Sequence, residues 1–157
     1  MESLTERSSQ DGGPEAVLRA GANHGGFHQV AQRVLAEHLV SRGLLGALPV
    51  DKVLELGLHR RWTMHGTGHM LGIDVHDCAA ARAETYRHGT LEPGMVLTVE
   101  PGLYFQPDDV TVPEEYRGIG VRIEDDLLVT EAGHENLSAV LPRAAQDIET
   151  WMAGLRS

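Results

Sequence analysis

Apolar residues along the chain change their spacing near residue 58, and that change divides the chain into a helical part and a strand-rich part. Phe27, Val30, Ala31, Val34, Leu35 and Leu39 recur every three or four positions, which predicts one buried helix face closed by Gly43. A shorter helix is predicted from Asp51, a favoured N-cap residue, through Leu56, with Gly57 ending it. Beyond Leu58 the pattern is that of strands and loops. Met95–Glu100 is a β-rich run stopped by Pro101-Gly102. Gly120–Thr130 is a second run, in which Val121 and Ile123 alternate with Arg122 and Glu124. Gly133 and Asn136 read as a turn. Pro142–Ala153 reads as a closing helix, with Pro at its start and Ala145, Ile148, Trp151 and Met152 on one face. Residues 1–26 are polar and broken by Gly12-Gly13-Pro14 and Gly25-Gly26, as in a tail with a short helical piece at 15–20. The order of elements predicts one α+β domain.

Composition narrows the functional classes. The 157 residues include 23 acidic and 13 basic side chains, a net charge of −10. That balance argues against a nucleic-acid backbone or an anionic membrane as partner. No run of 18 apolar residues exists to span a bilayer, and the first residues lack the apolar stretch of a secretory signal. Cys78 is the single cysteine and cannot form an internal disulfide. A reducing, cytoplasmic setting is expected.

Candidate chemistry is concentrated in His65-Gly-Thr-Gly-His69-Met-Leu-Gly-Ile-Asp-Val-His76-Asp77. A helical two-histidine zinc site would need a Glu after the first His; Gly66 stands there, and Gly66 and Gly68 disfavour a helix. The glycines point instead to irregular backbone packed closely against something. A surface or hydrogen-bonded set of histidines is the plainer alternative. Glu100 ends the first β-run, and Glu124 lies in the second on the same face as Arg122. An Arg–Glu pair on a solvated sheet face would account for this. So would a cation site: one imidazole and two carboxylates from three segments suit Mn, Co or Zn.

Three strings occur in order: the histidine string, Leu91-Glu-Pro-Gly-Met-Val-Leu-Thr-Val-Glu100-Pro-Gly-Leu-Tyr104, and Tyr116-Arg-Gly-Ile-Gly-Val-Arg122-Ile-Glu124-Asp-Asp. Together they resemble the Xaa-Pro aminopeptidases (aminopeptidase P) of the pita-bread metallopeptidases, over about residues 18–157. The resemblance implies part of a pita-bread catalytic domain at 18–157, a curved, mainly antiparallel sheet with helices on one face, behind a flexible tail at 1–17. It implies His69, Glu100 and Glu124 as metal ligands. His76 and His65 would lie on the substrate side, Glu100 beside the attacking water, and Arg122 behind the carboxylates. The implied reaction releases the N-terminal residue that precedes a proline, so the implied partner is a peptide with proline second.

The family also uses two aspartates on an upstream hairpin. Upstream of His65 this chain has only Asp11, in the polar stretch, and Asp51, at a helix start. The expectation is therefore at most one divalent ion in this chain alone, Mn first and Zn or Co after it. Activity would call for a complementing half or a second copy. The alternative is a non-catalytic remnant or partner-binding module.

Overall fold

The computed structural model describes residues 13–78 and 80–156. Most of the expected tail, residues 1–12, lies outside the described residues. Pro14–Val17 forms a short 3₁₀ turn rather than a helix over 15–20, with Pro14 buried.

Helix α1 spans Gly26–Ser41 and buries Phe27, Ala31, Leu35 and Leu39, the stripe the spacing predicts. It ends as foreseen at Gly43, which takes φ +74°. The Gly43 N–H bonds the Val40 carbonyl at 2.9 Å and the Leu44 N–H bonds that of Leu39 at 3.0 Å, so two otherwise orphaned carbonyls are satisfied. Helix α2 spans Val50–Leu56, and Gly57 ends it at φ +65°. Asp51 is not its N-cap: Pro49 holds that position, and the Asp51 carboxylate accepts from Arg33 of α1 at 2.8 Å.

The first β-run forms β1, Val96–Val99. The second divides into β3, Gly120–Arg122, and β4, Asp125–Val129, while β2, Gly102–Tyr104, follows β1. Strand β5, His134–Asn136, occupies part of the expected turn. Gly133 is in the connection, its carbonyl accepting from Thr130 N–H at 2.9 Å, but Asn136 pairs with Leu127. All pairings are antiparallel, in one sheet ordered β1-β4-β5 and a second made of β2 and β3. The chain is thus α+β.

Alternation sorts the strand residues by face. Leu97, Val99, Leu127 and Val129 join Leu18, Phe27 and Leu91 in the main core. A second cluster, Leu39, Trp62 and Val112, fills the space beyond the end of α1, with Leu103, Phe105 and Tyr116 packed on it. Helix α3 spans Ala145–Gly154, starting three residues after Pro142. None of its residues is buried, and Trp151 and Met152 are 52% and 44% exposed. Of the predicted apolar face only Ile148 is half-buried, while Ala145, Trp151 and Met152 are exposed. Among the described residues no helix is long and apolar enough to cross a membrane.

Candidate metal centre

The site forms at a break in the sheet. Val99 lies opposite Asp125 in one ladder, and Gly102 lies opposite Arg122 in the next. The register is therefore unchanged across the gap, and Glu100 falls opposite Glu124, Pro101 opposite Ile123. Pro101 has no N–H to give the ladder, which is reason enough for the break. Directly opposed residues share a face. Glu100, Tyr104, Arg122 and Glu124 thus project from the face opposite α1.

On the other edge of β1 the chain from Thr67 to Leu71 runs alongside as an irregular strand. Glu100 N–H bonds the Thr67 carbonyl at 2.8 Å, Thr98 N–H that of His69 at 2.8 Å, and Leu71 N–H that of Val96 at 2.9 Å. This close approach explains Gly68. A methyl group there would collide with the Thr98 carbonyl oxygen and the Phe27 ring. Gly68 thus places backbone on backbone, as the pattern implies, whereas Gly66 is exposed with room for a side chain, and no helix joins His65 to His69.

His69 Nε2 lies 3.4 Å from Glu100 Oε1. The other ring nitrogen, Nδ1, is 3.0 Å from the Met70 carbonyl oxygen. A carbonyl oxygen can only accept, so Nδ1 carries the hydrogen. Nε2 therefore faces a carboxylate oxygen across a gap that a proton or a cation would fill. Two acceptors this close repel unless a proton or cation lies between them. Glu100 is 8% exposed, so water does little to relieve that repulsion. Its second oxygen is 3.5 Å from Arg122 Nη1, and Arg122 Nε is 3.8 Å from Glu124 Oε2. Arg122 thus stands between the two carboxylates.

The remaining predicted residues spread outward. The exposed His76 ring packs edge-on to His69, centroids 4.4 Å apart. His65 contacts neither His69 nor a carboxylate among the described contacts; its Nε2 lies 2.7 Å from the Tyr104 hydroxyl. Among the described residues no group of three or more His, Cys, Asp or Glu side chains closes around a common point. His69 and Glu100 meet, whereas Glu124 is engaged through Arg122.

Sequence reasoning did not assign several residues that hold this arrangement. Thr98 Oγ1 accepts the His69 N–H at 3.1 Å, and the Tyr86 hydroxyl accepts the Met70 N–H at 2.8 Å. Tyr104, four residues beyond Glu100 and so on its face, could have been found by strand parity. Asp109 could not. It takes two bonds from Arg61, at 3.0 and 2.9 Å, and one from Trp62 Nε1 at 2.9 Å. The Thr111 hydroxyl, the Trp62 indole and the other donors hold its carboxyl well below the usual carboxylate range. The Trp62 carbonyl in turn accepts the Tyr104 N–H at 2.9 Å, so Asp109 supports the Tyr104–His65 pair from behind.

Residues 8–131 match metallopeptidase family M24. The chain belongs to that family. It is 70% identical over 141 residues to Xaa-Pro aminopeptidase 1 of Streptomyces coelicolor, covering 90% of this chain and 28% of that protein. It is 48% identical over 124 residues to the Xaa-Pro aminopeptidase of Escherichia coli, covering 79% of this chain and 27% of that protein. The aminopeptidase PepP of Pseudomonas aeruginosa superposes with a TM-score of 0.86 at 38% identity, over 98% of this chain and 34% of that one. The zinc-substituted E. coli aminopeptidase P in complex with product gives 0.83 at 41%, over 98% and 34%. This M24 chain therefore has part of the aminopeptidase P fold, and it spans about 30% of the length of these relatives.

Proposed function

We propose that this M24 chain binds a single divalent cation through His69 and Glu100, with Glu124 as third donor, and supplies this part of an Xaa-Pro aminopeptidase site. The observation that carries the reading is the His69–Glu100 contact: Nε2 facing a buried carboxylate oxygen at 3.4 Å, with Nδ1 tied to the Met70 carbonyl. Ligating histidines characteristically anchor their second nitrogen this way. The donor set fits Mn, with Zn or Co as substitutes. When bound, the ion supplies Lewis acidity for peptide hydrolysis. Glu100 then offers an oxygen that can take a proton. His76 lies on the solvent side of His69, where a peptide carbonyl would approach, and His65 is steadied by Tyr104. Arg122 holds both glutamates until Glu124 turns to the ion. The substrate class is a peptide with proline second, in the cytoplasm, once a complementing half or a second copy completes the site.

Titration calorimetry with Mn²⁺ tests this. One weak site per chain is expected, lost in His69→Ala and kept in His88→Ala, a change of an exposed histidine. Affinity should fall with pH, since the ligands must be deprotonated. The chain alone should not cleave an Xaa-Pro peptide measurably. Fusion to the upstream part of an aminopeptidase P should restore cleavage, and Glu124→Gln should remove it again. Two tight ions per chain, or brisk cleavage by the chain alone, would overturn the reading. A second reading, a non-catalytic partner-binding module, is favoured by Arg122 occupying the space between the glutamates. It predicts no Mn²⁺ binding and an inert fusion.

A further inference from the structure

Two polar residues of α1 face the protein instead of solvent. His28 and Gln32 are four apart and so share a helix face. Their partners, Thr67 and Thr63, are also four apart and bracket His65. His28 Nδ1 is 2.9 Å from Thr67 Oγ1, and the Thr63 hydroxyl donates to Gln32 Oε1 at 3.2 Å. Gln32, Thr63 and Thr67 are all buried. Between Arg61 and the extended segment at Thr67 the chain has no helix or strand of its own. Side-chain bonds to α1 therefore do what a ladder does elsewhere. Thr67 is the pivotal member: its hydroxyl meets His28 while its carbonyl accepts the Glu100 N–H. Next to it, Gly68 lies against Thr98 and the Phe27 ring, and Phe27 immediately precedes His28. A displaced Thr67 would carry His69 and the Glu100 backbone with it.

We infer that His28 is a positioning residue: through Thr67 it holds the loop Thr63–His69 in the one arrangement that sets His69 Nε2 against the Glu100 carboxylate. The consequence for cation affinity rests on the metal reading above; the consequence for the loop does not. A residue that only packs would act by shape, whereas this role requires the hydrogen bond at the Nδ1 position. Asn can place a polar atom there and Ala cannot.

The test uses the full chain in five forms: wild type, His28→Ala, His28→Asn, Thr67→Val and the double variant His28→Ala with Thr67→Val. Two quantities are read, Mn²⁺ affinity by calorimetry and amide hydrogen exchange at Glu100, with Leu127 in the core strand β4 as internal reference. His28→Ala should weaken Mn²⁺ binding about 10-fold or more, the usual scale for a residue behind a ligand. It should also speed exchange at Glu100 while leaving Leu127 unchanged. His28→Asn should recover both to within about threefold, and adding Thr67→Val to His28→Ala should cost nothing further, because the two act through one bond. Wild-type affinity together with wild-type Glu100 exchange in His28→Ala would overturn the inference. Equal acceleration at Glu100 and Leu127, with no rescue by Asn, would also overturn it, as a general loss of stability. If the wild type binds no Mn²⁺, the metal reading fails, and the exchange comparison alone decides for or against His28. If His28→Ala does not fold, Thr67→Val, which keeps the shape, carries the same comparison.

Discussion

The ladders on either side of the break at Glu100 and Glu124 share one register but differ in their surroundings. In β1–β4, Leu97, Val99, Leu127 and Val129 are at most 3% exposed and lie against Phe27, Leu18 and Leu91. In β2–β3 every residue of β3 is exposed; Val121 is 46% accessible, and Ile119, just before the strand, 45%. An apolar groove lined by Val34, Leu103, Val121 and Ile123 separates that pair from α1. The comparison teaches where precision resides. His69 and Glu100 are fastened to the packed ladder, whereas Arg122 and Glu124 belong to the looser one or to the break. In the proposed site the first two ligands are thus the rigid pair, and the proposed third donor sits on the side that yields.

The largest difference should come from cutting the two ladders alike. Leu127→Ala removes a fully buried side chain and should cost about 2–5 kcal/mol, whereas Val121→Ala should cost about 0.5 kcal/mol or less. Urea unfolding measures both, and similar costs would abolish the contrast. Gly68→Ala should come next. The added methyl has no room against Thr98 and Phe27, and relief of such overpacking typically costs about 1–3 kcal/mol. It should also push His69 away from Glu100 and abolish Mn²⁺ binding even where the fold survives, as calorimetry of the folded variant would show.

Acidity should then act through the α1 side. Burial lowers the pKa of His24, and of His28 and His59, where nearby positive charge adds to it. Below pH 6.5 the unfolded chain takes up these protons more readily than the fold, so stability should decline as pH falls from there. Glu15 opposes this: burial and the neighbouring Asp125 raise its pKa from 4.5 to about 7. The unfolded glutamate ionises from 4.5 upward while the folded one resists, so its contribution is lost as pH rises toward 7. The two effects oppose each other between pH 5.5 and pH 7, so the histidine part is read in Glu15→Gln, whose thermal melts should show a lower midpoint at pH 5.5 than at pH 7. The smallest effect expected is that of Glu15→Gln, which should raise the melting midpoint slightly at pH 8 and leave it unchanged at pH 4.

Much of this was legible beforehand for local reasons. The stripe Phe27, Ala31, Leu35, Leu39 could bury only as a helix, and Gly43 and Gly57 could end helices because they alone accept left-handed backbone cheaply. Strand parity placed Arg122 and Glu124 on one face. The misreadings have equally local causes. Asp51 looks like a cap, but Pro49 already presets the helix start and Arg33 claims the carboxylate. Asn136 looks like a turn residue, yet its side chain accepts from Ser138 N–H while its backbone pairs in β5.

The sequence by itself determined the period of the main segments, where α1 and α2 stop, and which side chains carry ligand-type atoms, because these depend on the residues themselves or on neighbours three or four positions apart. Only the tertiary structure decided which of those residues meet. His69 and Glu100 are brought together by a backbone alignment across 31 positions, and Arg122 separates the glutamates because one register runs unbroken past Pro101. Contacts of that kind rest on packing between distant segments, against Phe27, Thr98 and Thr67. Local propensity carries no record of them.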